Sequence, residues 1–205
     1  MHIQLSDAGK KFNREWIFRG VDFVFQPGKI YAITGPNGSG KSTLLQAIAG
    51  SLNLSAGKIT WQQNNTAITN DNIYKYLSLA APYLELIEEM TAKELLKFHA
   101  SFKPLIPAVS IDAILQLIGL EKAAHKQIRY YSSGMKQRVK LAQAIFSDVP
   151  LLLLDEPCTN LDASGYELYH RLINDYCNGK TIIISSNDQM ETDFCEERIL
   201  ITDYK

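Results

Sequence analysis

Several features are scarce or missing in this chain of 205 residues. The three cysteines are odd in number and lack CxxC spacing, so we interpret them as reduced, buried thiols of a cytosolic protein. No apolar run approaches the ~20 residues that cross a bilayer, and the start, "MHIQLSDAGKKF", lacks the apolar segment of a signal peptide. The net charge of -1 argues against a broad nucleic-acid surface. We therefore expect a chain that is soluble by itself.

The order of strand-like and helical segments indicates the fold class. Strand-like segments are "HIQLS", "VDFVFQ", "KIYAIT", "GKITWQ" and "YKYLSLA" in the first part, and "LLLLD", "TIIISS" and "RILITD" in the last. Two of these, "LLLLD" and "TIIISS", are almost wholly apolar, which is typical of parallel strands covered on both faces. Three segments of helical periodicity lie between "YKYLSLA" and "LLLLD": "TAKELLKFHASF", "SIDAILQLIGLEKAA" and "SGMKQRVKLAQAIF". The pattern predicts a mainly parallel α/β core with a helical insertion.

A glycine-rich loop follows the strand-like segment "KIYAIT" and precedes a helical one, "STLLQAIAG". Its sequence, "GPNGSGKST", fits the pattern G-x-x-x-x-G-K-[ST]. The glycines let backbone N–H groups close on phosphate oxygens. Lys41 would bind the β- and γ-phosphates, and the Ser42 hydroxyl can bind Mg²⁺. We predict a nucleoside triphosphate site here, helped by the positive end of the following helix.

Two carboxylates end the buried strand in "LLLLDEP". Asp155, at the tip of the strand, is placed to meet the Mg²⁺ shell. Glu156 is one residue further on, where it could polarise a water that faces the γ-phosphate. We therefore predict Ser42 and Asp155 as metal-binding residues and Glu156 as the general base.

A second anion-holding device lies in "YYSSGMKQR". Ser132, Ser133 and Gly134 open a basic helix, so that small side chains and backbone N–H groups could approach a phosphate. Taken alone, the same residues are also typical of an ordinary serine cap on a surface helix.

Together these motifs resemble those of the nucleotide-binding subunits of ABC transporters, over essentially the whole chain. The matching segments are "GPNGSGKST" (Walker A), "YSSGMKQR" (signature), "LLLLDE" (Walker B) and "TNLD" (D-loop). The resemblance implies a P-loop NTPase (RecA-like) fold with an N-terminal antiparallel β part. It further implies one domain over residues 1–205, with the core at about 1–81 and 149–205 and the helical subdomain at about 82–148.

In that family two subunits pair head to tail, and each ATP lies between Walker A of one chain and the signature of the other. The resemblance therefore explains why one chain carries two phosphate-holding devices. The nucleotide-binding residues that it implies are Gly35, Pro36, Asn37, Gly38, Ser39, Gly40, Lys41, Ser42 and Thr43 on one side, and Ser132, Ser133, Gly134 and Asp162 on the other. For the aromatic residue under adenine, Phe12 fits best by spacing, and Trp16 is the alternative.

The chain departs from the family at the switch position, where a histidine is usual. Asn187 in "IISSNDQ" stands there. Its amide can donate a hydrogen bond to the γ-phosphate, but it cannot take up a proton as imidazole does. We therefore predict that ATP binds well and is hydrolysed slowly.

A second departure is the Q-loop, whose glutamine contacts Mg²⁺ in the family. This chain has no glutamine between Gln63 and Gln116, and Ala81 or Pro82 occupies the position. The segment that follows contains apolar residues that either line a groove for a short helix of a membrane partner or pack inside the helical insertion: Tyr83, Leu84, Leu86 and Ile87. The signature also differs, at Tyr131, Ser133 and Met135.

The resemblance implies an ATPase subunit that energises separate transmembrane permease subunits, with ATP and Mg²⁺ bound. Its second ATPase subunit is either a copy of this chain or a relative. We expect it in the cytoplasm, at the inner face of the membrane through the permease. The short signature and lack of a C-terminal extension favour a small exporter type. A non-transport ABC ATPase and a nucleotide-gated assembly module are the alternatives.

Overall fold

The computed structural model describes all residues from Met1 to Lys205. The strands are β1 (His2–Phe12), β2 (Glu15–Phe25), β3 (Ile30–Thr34), β4 (Ala56–Gln63), β5 (Thr66–Ile68), β6 (Leu77–Ala80), β7 (Leu151–Asp155), β8 (Thr181–Ser185) and β9 (Glu197–Leu200). The helices are α1 (Lys41–Ile48), α2 (Ala92–Phe102), α3 (Ile111–Leu117), α4 (Ser133–Ile145), α5 (Ala163–Tyr176) and α6 (Gln189–Thr192). The longest, α5, has 14 residues, and none of the helices combines the length and apolar character of a membrane span.

The chain forms two compact units. Unit 1 consists of residues 1–77, 149–155 and 179–205. Unit 2 consists of residues 78–148 and 156–178. The chain passes from unit 1 to unit 2 between Asp155 and Glu156, the two carboxylates that the sequence singled out.

Unit 1 contains two sheets of different kinds. In the antiparallel sheet the order is β2-β1-β4-β5. In the other sheet β7, β8, β3 and β9 are neighbours in that order, all parallel, with Leu77 of β6 at the β7 edge. The predicted combination of a parallel core and an N-terminal antiparallel part is confirmed.

The parallel sheet is buried because its central strands have no polar face. Every residue of β7 and of β8 is buried. Each parallel strand ends at the same edge, so Thr34, Asp155 and Ser185, the last residues of β3, β7 and β8, lie at the carboxyl edge. That edge is where ligands bind in open parallel sheets.

Unit 2 is helical, and its helices begin where the sequence predicts. Thr91 caps α2 in a capping box with Glu94, and Ser110 caps α3 by accepting a hydrogen bond from the Ala113 amide. Helix α3 ends earlier than its periodicity suggests, because Gly119 adopts a left-handed φ of 70° and stops it. Residues Glu121–Ala123 then form a short 3-10 helix.

Two predicted strands are only half present. In "RILITD" the strand ends at Leu200, and residues Ile201–Tyr204 form a 3-10 helix. In "YKYLSLA" the strand begins at Leu77, whereas residues Asn70–Lys75 form a 3-10 helix. Local polar bonds explain the difference: the Asn72 side chain donates to the Thr69 hydroxyl at 2.9 Å, and Lys75 donates to the Asn72 side chain at 2.9 Å. Such short-range bonds compete with strand pairing.

The cysteines are free, as expected. Cys158 and Cys177 are buried and Cys195 is half-buried. Burial raises the pKa of the Cys195 thiol to about 12, so this thiol stays protonated at neutral pH.

Candidate functional site

The phosphate loop, residues 35–43, connects β3 to α1 within unit 1. Gly35 and Gly40 adopt φ angles of 145° and 108°, which side chains rarely permit. A Cβ on Gly40 would lie 2.4 Å from the Ile17 methyl group, so only glycine fits. The Lys41 ammonium is buried and donates to the Gly35 and Pro36 carbonyl oxygens at 2.9 and 3.3 Å. The loop therefore holds its lysine in place by its own backbone.

Three buried side-chain oxygens near the carboxyl edge of the parallel sheet have no hydrogen-bond partner. They are Ser39 Oγ in the phosphate loop, Asp155 Oδ1 at the end of β7 and Ser185 Oγ at the end of β8. Asp155 and Ser185 are paired in the strand register. Buried polar atoms are nearly always satisfied in proteins, so unsatisfied ones at a single edge indicate a missing ligand.

These residues fit Mg²⁺ bound together with a phosphate. Asp155 and the half-buried Ser42 offer hard oxygen donors, which Mg²⁺ prefers, and Mg²⁺ is commonly held by one or two protein groups plus substrate phosphates. The chain has no cluster of three or more histidine, cysteine or carboxylate side chains that could hold a metal without such a substrate.

The switch position contacts the phosphate loop directly. Asn187 follows β8, and its Nδ2 donates to Asn37 Oδ1 at 3.2 Å. Both asparagines are exposed. The structure thus brings together two residues that are 150 positions apart and that the sequence had selected for separate reasons.

The two candidate adenine aromatics lie at the end of the β1–β2 hairpin. Phe12 is 46% exposed, with Lys10 Nζ 5.0 Å from its ring centre. Trp16 is half-buried, and a Cβ on Gly9 would lie 2.9 Å from its ring. Trp16 thus packs on its own hairpin, whereas Phe12 has an open face.

In unit 2, the segment of residues 156–161, here called the exit segment, carries the chain out of β7. Glu156 has a φ of 43° and Asn160 a φ of 66°. Asparagine tolerates the left-handed region, but for glutamate it is uncommon and costs about 1 kcal/mol or more. Strain of this kind is typical of functional residues, and here it falls on the predicted general base.

The signature lip, residues Ser132–Gly134, begins helix α4. Ser132 is the N-cap and accepts a hydrogen bond from the Met135 amide at 3.3 Å. Both serines are exposed, and the lip lines a cavity of about 550 Å³ within unit 2. The lip is therefore both a helix cap and an open surface.

Asp162, expected to serve the nucleotide, caps helix α5. Its Oδ1 accepts from the Ser164 hydroxyl at 2.8 Å and from the Gly165 amide at 2.9 Å. These two hydrogen bonds lower the pKa of Asp162, so it stays ionised. Its side chain is exposed and lies 3.7 Å from Arg138 of α4. The residue positions the D-loop, which ends where α5 begins.

Sequence reasoning missed Gln137. This side chain of α4 is 3% exposed, and its Nε2 donates to the Pro157 carbonyl at 2.6 Å. A glutamine three residues beyond Gly134 shares its helix face, and a buried amide needs a partner. The spacing from Gly134 was the signal in the sequence that pointed to Gln137. No sequence pattern indicates that its hydrogen-bond partner is the Pro157 carbonyl.

At the Q-loop position the backbone is held by a lysine. Ala81 is buried, and Lys140 of α4 donates to the Pro82 carbonyl at 2.9 Å and to the Ala81 carbonyl at 3.4 Å. Burial lowers the pKa of Lys140. No side chain at Ala81 or Pro82 can bind a metal.

The apolar segment after Pro82 is largely at the surface. Tyr83, Leu84 and Ile87 are 47%, 38% and 41% exposed. The alternative that these three residues pack inside the helical insertion is therefore wrong, whereas Leu86 is half-buried. A neighbouring groove of about 440 Å³ is lined partly by this segment and partly by α4.

Comparison with known proteins agrees with the motifs. The family model described as ABC transporter matches residues 18–159. The uncharacterized ABC transporter ATP-binding protein YybJ of Bacillus subtilis (strain 168) is 31% identical over 192 residues, which cover 90% of this chain and 85% of YybJ. Nod factor export ATP-binding protein I of Rhizobium sp. (strain N33) is 30% identical over 206 residues, covering 98% of this chain and 68% of that protein. The chain spans about two thirds, 66%, of the related YdbJ and YhcH of Bacillus subtilis.

Solved structures share the fold. The dimeric structure of MJ0796, a bacterial ABC transporter cassette, has a TM-score of 0.80 at 25% identity and covers 97% of this chain and 94% of its own. An ATP-binding subunit of an ABC transporter has a TM-score of 0.86 at 24% identity, covering 98% of this chain and 86% of its own. The sequence-based assignment to the ABC-type ATPases, with their P-loop fold, is confirmed: the chain belongs to the ABC transporter family of ATP-binding proteins.

Proposed function

We propose that this chain is the ATP-binding and hydrolysing subunit of a membrane transporter, acting as one ABC-type ATPase domain over residues 1–205. The observation that carries the proposal is the unsatisfied, buried Asp155 Oδ1 at the same edge of the parallel sheet as a preformed phosphate loop. A magnesium nucleotide is the ligand that would satisfy both features at once.

The phosphates would be held by the backbone N–H groups of the phosphate loop and by Lys41. Ser42 and Asp155 would hold Mg²⁺, which supplies neutralisation of phosphate charge when bound. Phe12 is the better candidate for stacking on adenine, since its ring is open and Trp16 is packed against Gly9.

The signature lip would serve ATP bound to a second ATPase subunit, so that two subunits enclose two nucleotides. Three facts support this. Both serines are exposed, the lip lies beside a cavity, and the similar cassette MJ0796 has been solved as a dimer. Asp162 would act in the same interface by fixing the start of α5.

Glu156 would activate the attacking water as general base. Asn187, already hydrogen-bonded to the phosphate loop through Asn37, would donate to the γ-phosphate. Because an amide cannot hold or shuttle a proton as imidazole does, we expect slow hydrolysis.

Separate transmembrane subunits would supply the translocation path and hold the chain at the inner face of the membrane. Support comes from the exposed apolar side chains Tyr83, Leu84 and Ile87, which offer contact area to a partner. Leu84 and half-buried Leu86 also line the groove beside α4. The name of the Rhizobium relative refers to export, which favours the exporter type.

A second candidate is a nucleotide-gated assembly module with very slow turnover. Two observations favour it: the amide at the switch position, and Ala81 or Pro82 at the position where the family has a glutamine that contacts Mg²⁺. The strained Glu156 favours the ATPase instead, because backbone strain at a residue without a catalytic role would be a cost without a benefit.

Purification of the tagged chain from its own cells, followed by identification of co-purifying chains, tests the proposal. A polytopic membrane protein should be recovered, and its recovery should fall when Tyr83 and Leu86 are both changed to alanine. A matched pair of alanines at exposed Phe98 and Phe102 on α2 serves as the control. Recovery of only soluble partners would overturn the transporter assignment and favour the assembly module.

A further inference from the structure

The exit segment is strained at Glu156, its first residue, so other parts of unit 2 must hold it in place. Its internal bonds are two turns: the Thr159 amide donates to the Glu156 carbonyl at 3.2 Å, and the Leu161 amide donates to the Cys158 carbonyl at 2.9 Å. Turns of this kind do not by themselves force a glutamate into the left-handed region, which persists only when the surroundings over-determine it.

Helix α4 supplies the missing constraint at two points. Gln137 donates to the Pro157 carbonyl at 2.6 Å, one peptide unit beyond Glu156. One helical turn earlier, Gly134 approaches the other end of the segment, since a Cβ on it would lie 3.1 Å from the Asn160 carbonyl oxygen. Residues three apart share a helix face, so a single face of α4 bonds to one end of the exit segment and lies close to the other end.

The Gln137 bond differs from ordinary helix packing. Its amide is 3% exposed and lies on a helix whose other buried residues are apolar: Val139, Leu141, Ala142, Ala144 and Ile145. Burying an amide is unfavourable unless it is bonded, and an apolar residue would pack there at lower cost. The Pro157 carbonyl is buried as well, so loss of the glutamine would leave that oxygen unsatisfied.

We propose that Gln137 is a positioning residue for hydrolysis: it fixes the backbone that sets the direction of the Glu156 carboxylate. This inference rests on the proposed role of Glu156 as general base. Gln137 is assigned no contact with the nucleotide, because its side chain is 3% exposed and its Nε2 donates to the chain's own backbone. It acts through the Pro157–Cys158 peptide, one peptide unit beyond the bond that joins Glu156 to Pro157.

The test compares Gln137→Met with Gln143→Met. Methionine keeps the length and flexibility of glutamine but cannot donate. Gln143 is half-buried on the same helix and makes no bond to the exit segment, so it is the matched control. In Gln137→Met we expect kcat to fall about tenfold, the factor that corresponds to losing one buried hydrogen bond. The KM for ATP and the affinity for a fluorescent ATP analogue should stay within about twofold, since the phosphate loop is untouched.

A purely structural role would lower stability and leave kcat of the folded protein unchanged, and that result would overturn the proposal. In a Glu156→Gln background Gln137→Met should cost nothing further, because the group that it positions is gone. A further tenfold loss in that background would equally contradict the proposal.

A second measurement does not depend on ATP turnover. Hydrogen exchange of the nucleotide-free protein should show faster exchange of the Thr159 and Leu161 amides in Gln137→Met than in Gln143→Met. If Gln137→Met folds poorly, Gln137→Asn, shorter by one methylene, gives the same comparison. Unchanged exchange overturns the inference. If exchange is faster in Gln137→Met but the wild-type protein does not hydrolyse ATP, the proposed function is refuted. Gln137 then remains the residue that holds the exit segment.

Discussion

The phosphate loop and the signature lip, the two devices proposed to hold phosphate, are built in opposite ways. In the phosphate loop of unit 1, Lys41 and Ser39 are buried, and two glycines adopt backbone angles that only glycine permits freely. In the signature lip of unit 2, Ser132 and Ser133 are exposed and the backbone is that of an ordinary helix start. One device is a preformed cradle, and the other is an open surface at the end of a helix.

The difference shows which device can bind a nucleotide alone. The phosphate loop has an unsatisfied buried oxygen, Ser39 Oγ, and two more lie at the ends of β7 and β8, so these groups suit a bound ligand. The lip satisfies its own serine by capping α4 and exposes the rest to water, so that it gains from a phosphate only when another surface excludes that water. The lip therefore suits the proposed interface with a second ATPase subunit.

The largest effect should come from Lys41→Ala. Removing the buried ammonium deletes the charge-assisted contact to phosphate, and we expect affinity for a fluorescent ATP analogue to fall on the order of a hundredfold. Lys58→Ala, on the exposed part of β4, is the control and should bind normally. Equal binding by both variants would contradict the assignment of the loop as the primary nucleotide site.

Ser133→Glu tests the open device. A carboxylate on the lip would repel a γ-phosphate, so ATP-dependent dimers of the Glu156→Gln protein should weaken at least about tenfold, as like charges do at interfaces. Binding of the ATP analogue to the monomer should not change. Gln116→Glu adds the same charge on exposed α3. Analytical ultracentrifugation with and without Mg-ATP measures the result, and a dimer of unchanged strength in Ser133→Glu would mean that the lip does not serve a partner's nucleotide.

Asn187→His addresses the link between the loop and the switch. Imidazole can take up and pass on a proton, so steady-state turnover with the partner subunits should rise about three- to tenfold. The variant should also become pH-dependent near neutrality, unlike the wild type. If turnover is unchanged, the asparagine does not limit hydrolysis.

The smallest expected effects are on stability, and they distinguish Ser132, which caps a helix, from Ser39, which is buried in the phosphate loop. Ser132→Ala removes a helix cap and should lower the free energy of unfolding by about 1 kcal/mol. Ser39→Ala removes a buried hydroxyl without a partner, so the nucleotide-free protein should be at least as stable as the wild type. Urea denaturation of both variants measures the difference, and a larger loss for Ser39→Ala would mean that its hydroxyl is satisfied within the protein.

Features encoded locally could be predicted from the sequence. The phosphate loop follows a buried strand and opens a helix, and the Thr91–Glu94 and Ser110 caps start α2 and α3 where the residues indicate. These features depend on neighbours within a few positions, so side-chain chemistry and spacing suffice to identify them.

Features that depend on distant contacts could not be predicted. Nothing in the sequence relates Gln137 to Pro157, Asn187 to Asn37, or Lys140 to the backbone at Ala81. The 3-10 helix at Asn70–Lys75 was missed because asparagine side chains bond locally and override the alternating pattern. In each case a hydrogen bond that the sequence pattern does not specify decides the geometry.

The hold of the phosphate loop on Lys41 has a consequence for how nucleotide arrives and leaves. The Gly35 and Pro36 carbonyl oxygens already bind the Lys41 ammonium. An incoming triphosphate would therefore replace these two oxygens as the partner of the lysine, and it would bind to a loop that is already ordered. Little conformational entropy is then lost on loading. On unloading, the same two oxygens would bind the lysine again, so the loop would return to the shape that it has here.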